Sequence, residues 1–158
     1  MEKLVIKMKN SHYKSPVRMK NLVKYVAAQG KNKDREKLLY FKIRGTSSKI
    51  NKAVKQMVCI QEMYGKDYER RMYHLIVSFP KDMHDKSVII KCADEISDYI
   101  FKDYQVAYGI HMSKENWHIH FAINAVSYRT GKKWHQSKKE FQEFKDNLKD
   151  MIESICSE

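Results

Sequence analysis

From Trp117 to Asn124 apolar and other side chains alternate strictly. Trp117, Ile119, Phe121 and Ile123 fall on one side of an extended chain, and His118, His120, Ala122 and Asn124 on the other, which predicts a β-strand with one face on a core. Residues 71–79 repeat the pattern: Tyr73, Leu75, Val77 and Phe79 share a face, His74, Ile76 and Ser78 the other, and Pro80 stops the run. A third run, 104–112, ends in His111 and Met112, and only Ser113 to Asn116 separate it from Trp117, which predicts a hairpin. Shorter strands are expected over 4–8 and 38–43. Helical spacing takes over elsewhere. Ser15 caps and Pro16 opens a helix whose apolar stripe is Met19, Leu22, Val23 and Val26, with Tyr25 at its edge and Gly30 past its end. Thr46 or Ser47 caps a second helix running to Met63, a third covers 86–101, and Ser137 caps a last one reaching Ile155.

This order predicts one α+β domain over 1–158, a mostly antiparallel sheet with helices packed on one face. The opposite face would then carry His111, His118, His120 and His74 as a groove floor. Pairing Met112 with Trp117 sets His111 opposite His118 and Gly109 opposite His120. Opposed residues have Cβ atoms about 4.5–5.5 Å apart, and successive same-face residues lie about 6.8 Å apart. Three imidazoles so spaced can converge on one ion, with Gly109 and Ala107 leaving room beside them. Two alternating histidines would fit an ordinary polar strand face; the third, in register across the turn, favours a shared ion. Three protein ligands leave coordination positions open, as catalytic metals require.

Composition narrows the class. With 42% hydrophobic and 32% charged residues, five Gly and two Pro, the 158-residue chain reads as globular with no flexible linker. No apolar run approaches a membrane span and no signal-peptide core is visible, so a cytoplasmic protein is expected. Cys59, Cys92 and Cys156 are odd in number and widely spaced, which excludes a disulfide frame or zinc knuckle. Charge is the sharper clue. The first 55 residues hold 16 Lys and Arg against 3 acids, a net of +13; the rest holds 15 against 16, a net of −1. So lopsided a distribution points to a nucleic acid.

A metal on a basic sheet suggests phosphodiester chemistry, in which the ion stabilises charge building up during an in-line displacement. The nucleophile is then metal-activated water or a side chain, and among 10 tyrosines spacing alone selects none.

His118-Ile119-His120 resembles the His-hydrophobic-His signature of the HUH endonuclease superfamily, and the wider pattern resembles its MobP-class conjugative relaxases, the plasmid mobilisation nucleases. Asn21 to Val26 followed by Gly30-Lys31 is similar to the tyrosine motif. Tyr73 to Phe79 resembles the second motif, a His before an apolar Ser-Phe strand. His111 to Asn124, continued by Thr130-Gly131-Lys132-Lys133, resembles the metal motif and its trailing turn. The resemblance implies a relaxase fold with a ferredoxin- or RRM-like palm, and a site-specific nickase acting on single-stranded DNA at a transfer origin. By it, Tyr25 attacks the scissile phosphate to give a 5′-phosphotyrosyl link, and a 3′-hydroxyl reverses the step. His111, His118 and His120 would hold a divalent ion, Mg²⁺ or Mn²⁺ with Zn²⁺ also accepted. His74, Ser78, Asn124, Arg18, Lys20, Lys24, Lys31, Arg129, Lys132 and Lys133 would stand behind the ligands or on DNA. Partners would be single-stranded DNA, accessory relaxosome proteins and a secretion coupling protein, with the chain itself a monomer. Relatives often carry an acid two positions after the first histidine, where this chain has Ser113, so either Glu115 or another group substitutes or activity is weak. The chain also ends soon after the nuclease core, as a minimal enzyme or a nuclease fragment would.

Two alternatives stand beside this reading. Rolling-circle replication initiators and single-tyrosine transposases of the same superfamily carry their tyrosine downstream of His-x-His, yet the last helix here has none and Tyr128 lies in a turn. A non-catalytic single-strand-binding module would expose sheet aromatics for base stacking.

Overall fold

In the computed structural model, which describes residues 3–29 and 36–158, the chain runs β1 (Val5–Met8), α1 (Pro16–Val26), β2 (Lys37–Arg44), α2 (Ile50–Met63), β3 (Met72–Ser78), α3 (Lys86–Phe101), β4 (Val106–Met112), β5 (His118–Asn124) and α4 (Lys138–Cys156). The strands form one sheet in the order β1-β3-β5-β4-β2, every neighbouring pair antiparallel. The hairpin has the expected register, His111 opposite His118 and Gly109 opposite His120. β3 flanks it on the other side, setting His74 opposite Ala122, Ile76 opposite His120 and Ser78 opposite His118.

The apolar face of the sheet is covered as predicted. Ile119, Phe121, Ile123, Leu75, Val77, Tyr108 and Ile110 meet Ile89, Ile96, Leu148 and Ile152 of α3 and α4 in the larger core. α4 begins at a full capping box, in which Ser137 and Glu140 each bond the other's backbone N–H. The second face carries helices too. Met19, Leu22, Val23 and Val26 of α1 and Val54 and Met57 of α2 pack on Met72, Ala107 and Ala122. The α+β antiparallel sheet is as expected, but helices cover both faces and not the one face expected. Small residues on β4 and β5 let α1 and α2 settle close to the backbone and confine the open groove to the sheet's β1–β3 side. The covered face also removes the exposed platform that a non-catalytic sheet-binding module would use.

β2 is an edge strand with a register shift between Leu38 and Tyr40. Its Lys and Arg, which blur the alternation, suit an edge that must not recruit another strand. α2 begins at Ile50, after Lys49 rather than at Thr46 or Ser47; the Ser47 hydroxyl accepts from the Lys49 N–H one step outside the helix. Among the described residues no helix is long and apolar enough to cross a membrane.

Candidate active site

Gly109 decides how the site is assembled. A Cβ there would lie 2.2 Å from the carbonyl oxygen of Val26, so only glycine lets the end of α1 rest on β4. The room foreseen beside the histidines is therefore filled by the helix. The last carbonyls of a helix lack intrahelical donors, and that of Val26 accepts from His111 Nε2 at 2.8 Å. Tyr25, one residue earlier, is delivered onto the cluster. Its ring centroid lies 5.2 Å from that of His120, 5.8 Å from His111 and 5.9 Å from His74.

The three hairpin imidazoles lie 4.3–5.7 Å apart by ring centroids. The partner of each ring fixes its tautomer. His111 Nε2 must carry a proton to reach Val26 O, which leaves a lone pair on Nδ1. His118 Nδ1 donates to Asn116 O at 3.1 Å, which leaves one on Nε2. His120 Nδ1 lies 2.8 Å from His74 Nε2, and its own Nε2 is buried with no hydrogen-bond partner among the described residues. A side-chain oxygen of Glu36 lies 2.8 Å from His111 Nδ1 and 3.1 Å from His118 Nε2. Lone pairs and a carboxylate facing one another need positive charge between them. Protons on His111 and His118 would satisfy Glu36 but leave His120 Nε2 bare, whereas one divalent ion satisfies all four groups. The four donor atoms lie within 4.8 Å of one another, and ligands bound at 2.0–2.2 Å lie up to about 4.4 Å apart, so a small contraction closes the cluster. The donor chemistry fits a metal, and the groups behind the ligands orient them as metal sites require.

Burial pushes the His120 imidazole far below its ordinary range, helped by the neighbouring histidines, and holds His74 down to about 3. Both rings are therefore neutral and can offer lone pairs. A short chain runs outward from the cluster, His120 to His74 and then His74 Nδ1 to the Tyr13 hydroxyl at 3.3 Å. Tyr25 has its phenol pKa raised, first by burial and then by the charge of Glu36.

Beyond Tyr25 opens a cleft of about 800 Å³, lined by Lys9, Tyr13, Lys14, Arg18, Tyr25 and His74 among others. Of the basic residues singled out on α1, Arg18 faces this cleft. Lys20 and Lys24 do not line it: by periodicity Lys20 lies just over half a turn round the helix from Arg18, and Lys24 about a third of a turn. Lys31 lies outside the described residues. Ser78 sits across from His118 on β3. Asn124 is not brought to the cluster: fully buried at the far end of β5, it donates to Met57 O and Gln105 Oε1 and accepts from Gln61 Nε2 and the Val126 N–H. Arg129 is paired with Asp103, and Lys132 and Lys133 share its turn at that same end. Tyr128, the one tyrosine after His120, donates its hydroxyl to Phe101 O.

A carboxylate does stand at the cluster, and it is that of Glu36 rather than of the exposed Glu115. Ser113 instead closes the hairpin turn: its hydroxyl donates to Asn116 O and accepts from the Asn116 N–H, steadying the carbonyl that orients His118. Sequence reasoning missed Glu36, Lys9 and Lys14. The available signal for Glu36 was its rarity, one of three acids in a segment with a net charge of +13.

A solved structure described as the molecular basis of vancomycin resistance transfer in Staphylococcus aureus superposes with a TM-score of 0.67 over 98% of this chain and 92% of its own, at 12% identity, a likeness of fold. Residues 25–156 match the MobA/VirD2-like nuclease domain of relaxases, and the chain belongs to that family. Two relatives, both Protein rlx of Staphylococcus aureus, are 30% and 32% identical over 96 residues, 61% of this chain. The chain matches 29% of their length.

Proposed function

We propose that this domain nicks single-stranded DNA at a transfer origin by transesterification, with Tyr25 as nucleophile and His111, His118, His120 and Glu36 as the metal-binding set. The observation that carries this reading is the Tyr25 ring lying against three imidazoles at the base of a basic cleft. A bound divalent ion would polarise the scissile phosphate and offset the charge that builds up on it. Three imidazoles with one carboxylate suit Mn²⁺ better than Mg²⁺ and would also take Zn²⁺.

Tyr25 loses its phenol proton, its oxygen bonds to phosphorus, and the 3′-oxygen leaves and takes up a proton. Attack by a 3′-hydroxyl runs the same steps backwards. Because the phosphotyrosyl bond conserves the phosphodiester energy, no nucleotide cofactor is needed. His74 keeps His120 in the ligating tautomer, and Lys9, Lys14 and Arg18 hold the flanking phosphates in register without reading bases. A strand held on Tyr25 is ready for conjugative transfer or mobilisation, with relaxosome proteins and a secretion coupling protein as partners.

The test is incubation with Mn²⁺ and an end-labelled oligonucleotide from a neighbouring transfer origin, resolved on a denaturing gel. A DNA–protein adduct stable to SDS and heat is expected from the wild type and absent from Tyr25→Phe, which removes only the hydroxyl. If Tyr25→Phe still forms the adduct, Tyr13 becomes the nucleophile. If the wild type cuts without an adduct, the enzyme is a metal hydrolase.

A further inference from the structure

The Thr130-Gly131-Lys132-Lys133 turn has no part in the histidine site, and its packing shows what it builds. Gly131 has φ +73, and a Cβ on it would lie 2.2 Å from Tyr64 Cδ1, so the turn rests directly on that ring. Lys66 Nζ donates to Gly131 O at 3.3 Å. Lys133 donates to the backbone oxygen of Tyr68 and sits over its ring, 4.2 Å from the centroid. Two turns, 64–71 and 128–133, are thereby joined into one surface. It presents Tyr68 at 53% exposure and Tyr64 at 39%, among the most exposed large aromatics of the described residues.

Beneath it lies Arg71, 7% exposed. Its Nε donates to the neutral Gln61 Oε1 at 2.7 Å, and no carboxylate among the described residues is within ion-pair distance. A buried guanidinium without an anion is costly, and it is the feature here that calls for one. Asp67 and Glu69 share the turn, so stacking leads and charge follows. The surface is also preformed. Glu69 is held at φ 56, a left-handed conformation rare for its type, while Arg70 Nη2 donates to Lys9 O at 2.7 Å and the Arg71 N–H to His12 O at 2.9 Å. Lys9 and His12 belong to the loop that lines the Tyr25 cleft, so cleft and surface adjoin.

We propose that these two turns form a second binding surface for single-stranded DNA, continuous with the cleft, in which Tyr68 and Tyr64 stack on unpaired bases and Lys66 and Lys133 hold phosphates over the buried charge of Arg71. This rests on the nuclease reading of the cleft and extends it to the flanking strand. Aromatics interleaved with cations bind single strands with little sequence preference, because every base offers a π-face.

The experiment is fluorescence anisotropy of the full chain with oligo-dT of about 8 and about 30 nucleotides, bracketing a short and an extended site. The wild type should prefer the longer strand. Tyr68→Ala should reduce that preference roughly tenfold, the loss of one stacked base, and Tyr68→Phe, which keeps the ring, should restore it. The proposal is overturned if Tyr68→Ala keeps the wild-type ratio, or if it weakens duplex DNA equally, since paired bases cannot stack on a side chain. If the wild type binds neither length, or if Arg18→Glu leaves short-strand affinity unchanged, the nuclease reading fails and this surface falls with it.

Discussion

The bare Nε2 of His120 concentrates the chemistry of the site in one buried atom. An unpaired polar atom at 2% residue exposure weakens the metal-free fold unless something binds it. Replacing His120 with Ala should therefore leave the melting temperature in EDTA within a few degrees of wild type, while abolishing the rise that Mn²⁺ produces. A ligand at about a hundred times its Kd stabilises by about 2.7 kcal/mol, equivalent to roughly 5–10 °C for a domain of this size. Thermal melts with and without Mn²⁺ check this, and an intact Mn²⁺ response in the variant would remove His120 from the ligand set. His74 carries a second consequence. Its pKa of about 3 in the fold, against an ordinary 6.5, means that acid favours the unfolded chain. The stability it contributes is complete above 6.5 and is lost progressively as pH falls towards 3. The EDTA-treated protein should melt earlier on going from about pH 7 to about pH 5, and His74→Asn should show a shallower decline. A flat profile for the wild type would contradict the burial of a neutral imidazole.

Between elements, the docking of α1 on β4 is what turns a histidine-bearing hairpin into a site. Gly109→Ala would set a methyl group against the Val26 carbonyl, which no rotamer change can relieve because both partners are backbone. Overpacking of this kind costs about 1–3 kcal/mol, and retreat of the helix would break the bond to His111 and lift Tyr25 from the rings. Urea denaturation should report the lost stability, and adduct formation should fall by more than that stability loss alone would produce. Wild-type values for both would show that α1 is not braced there. The hairpin itself was legible from residue pattern, because alternation from Trp117 to Asn124 and a short turn leave one register that buries the apolar set. The helices on the second face were not. Ala107, Gly109 and Ala122 carry that contact, and small residues leave no apolar periodicity to read. Glu36 stood out only by its rarity in a basic segment; its partners did not, because it meets His111 across 75 positions and His118 across 82, a pairing set by the chain path.

Across the whole molecule, the charge asymmetry of the sequence becomes a directional surface. The N-terminal excess of +13 divides around α1, with Lys9, Lys14 and Arg18 lining the cleft and Lys20 and Lys24 off it, about half a turn and a third of a turn round the helix from Arg18. The sequence alone ranks Lys20 and Lys24 with Arg18, since all lie in the same basic segment; helix geometry separates them. Each phosphate neutralised on a single strand contributes about 0.7 to the slope of log affinity against log salt. Reversing Lys14 or Arg18 to Glu should therefore weaken single-strand binding and flatten that slope by roughly one contact. The same reversal at Lys20 or Lys24 should act only through the longer-range field, which a Debye length of about 8 Å at physiological salt largely screens. Titrations across a series of salt concentrations distinguish the two pairs. Equal flattening by all four would mean that DNA wraps α1 instead of following the cleft to Tyr25. No flattening at Lys14 or Arg18 would move the strand off this face altogether.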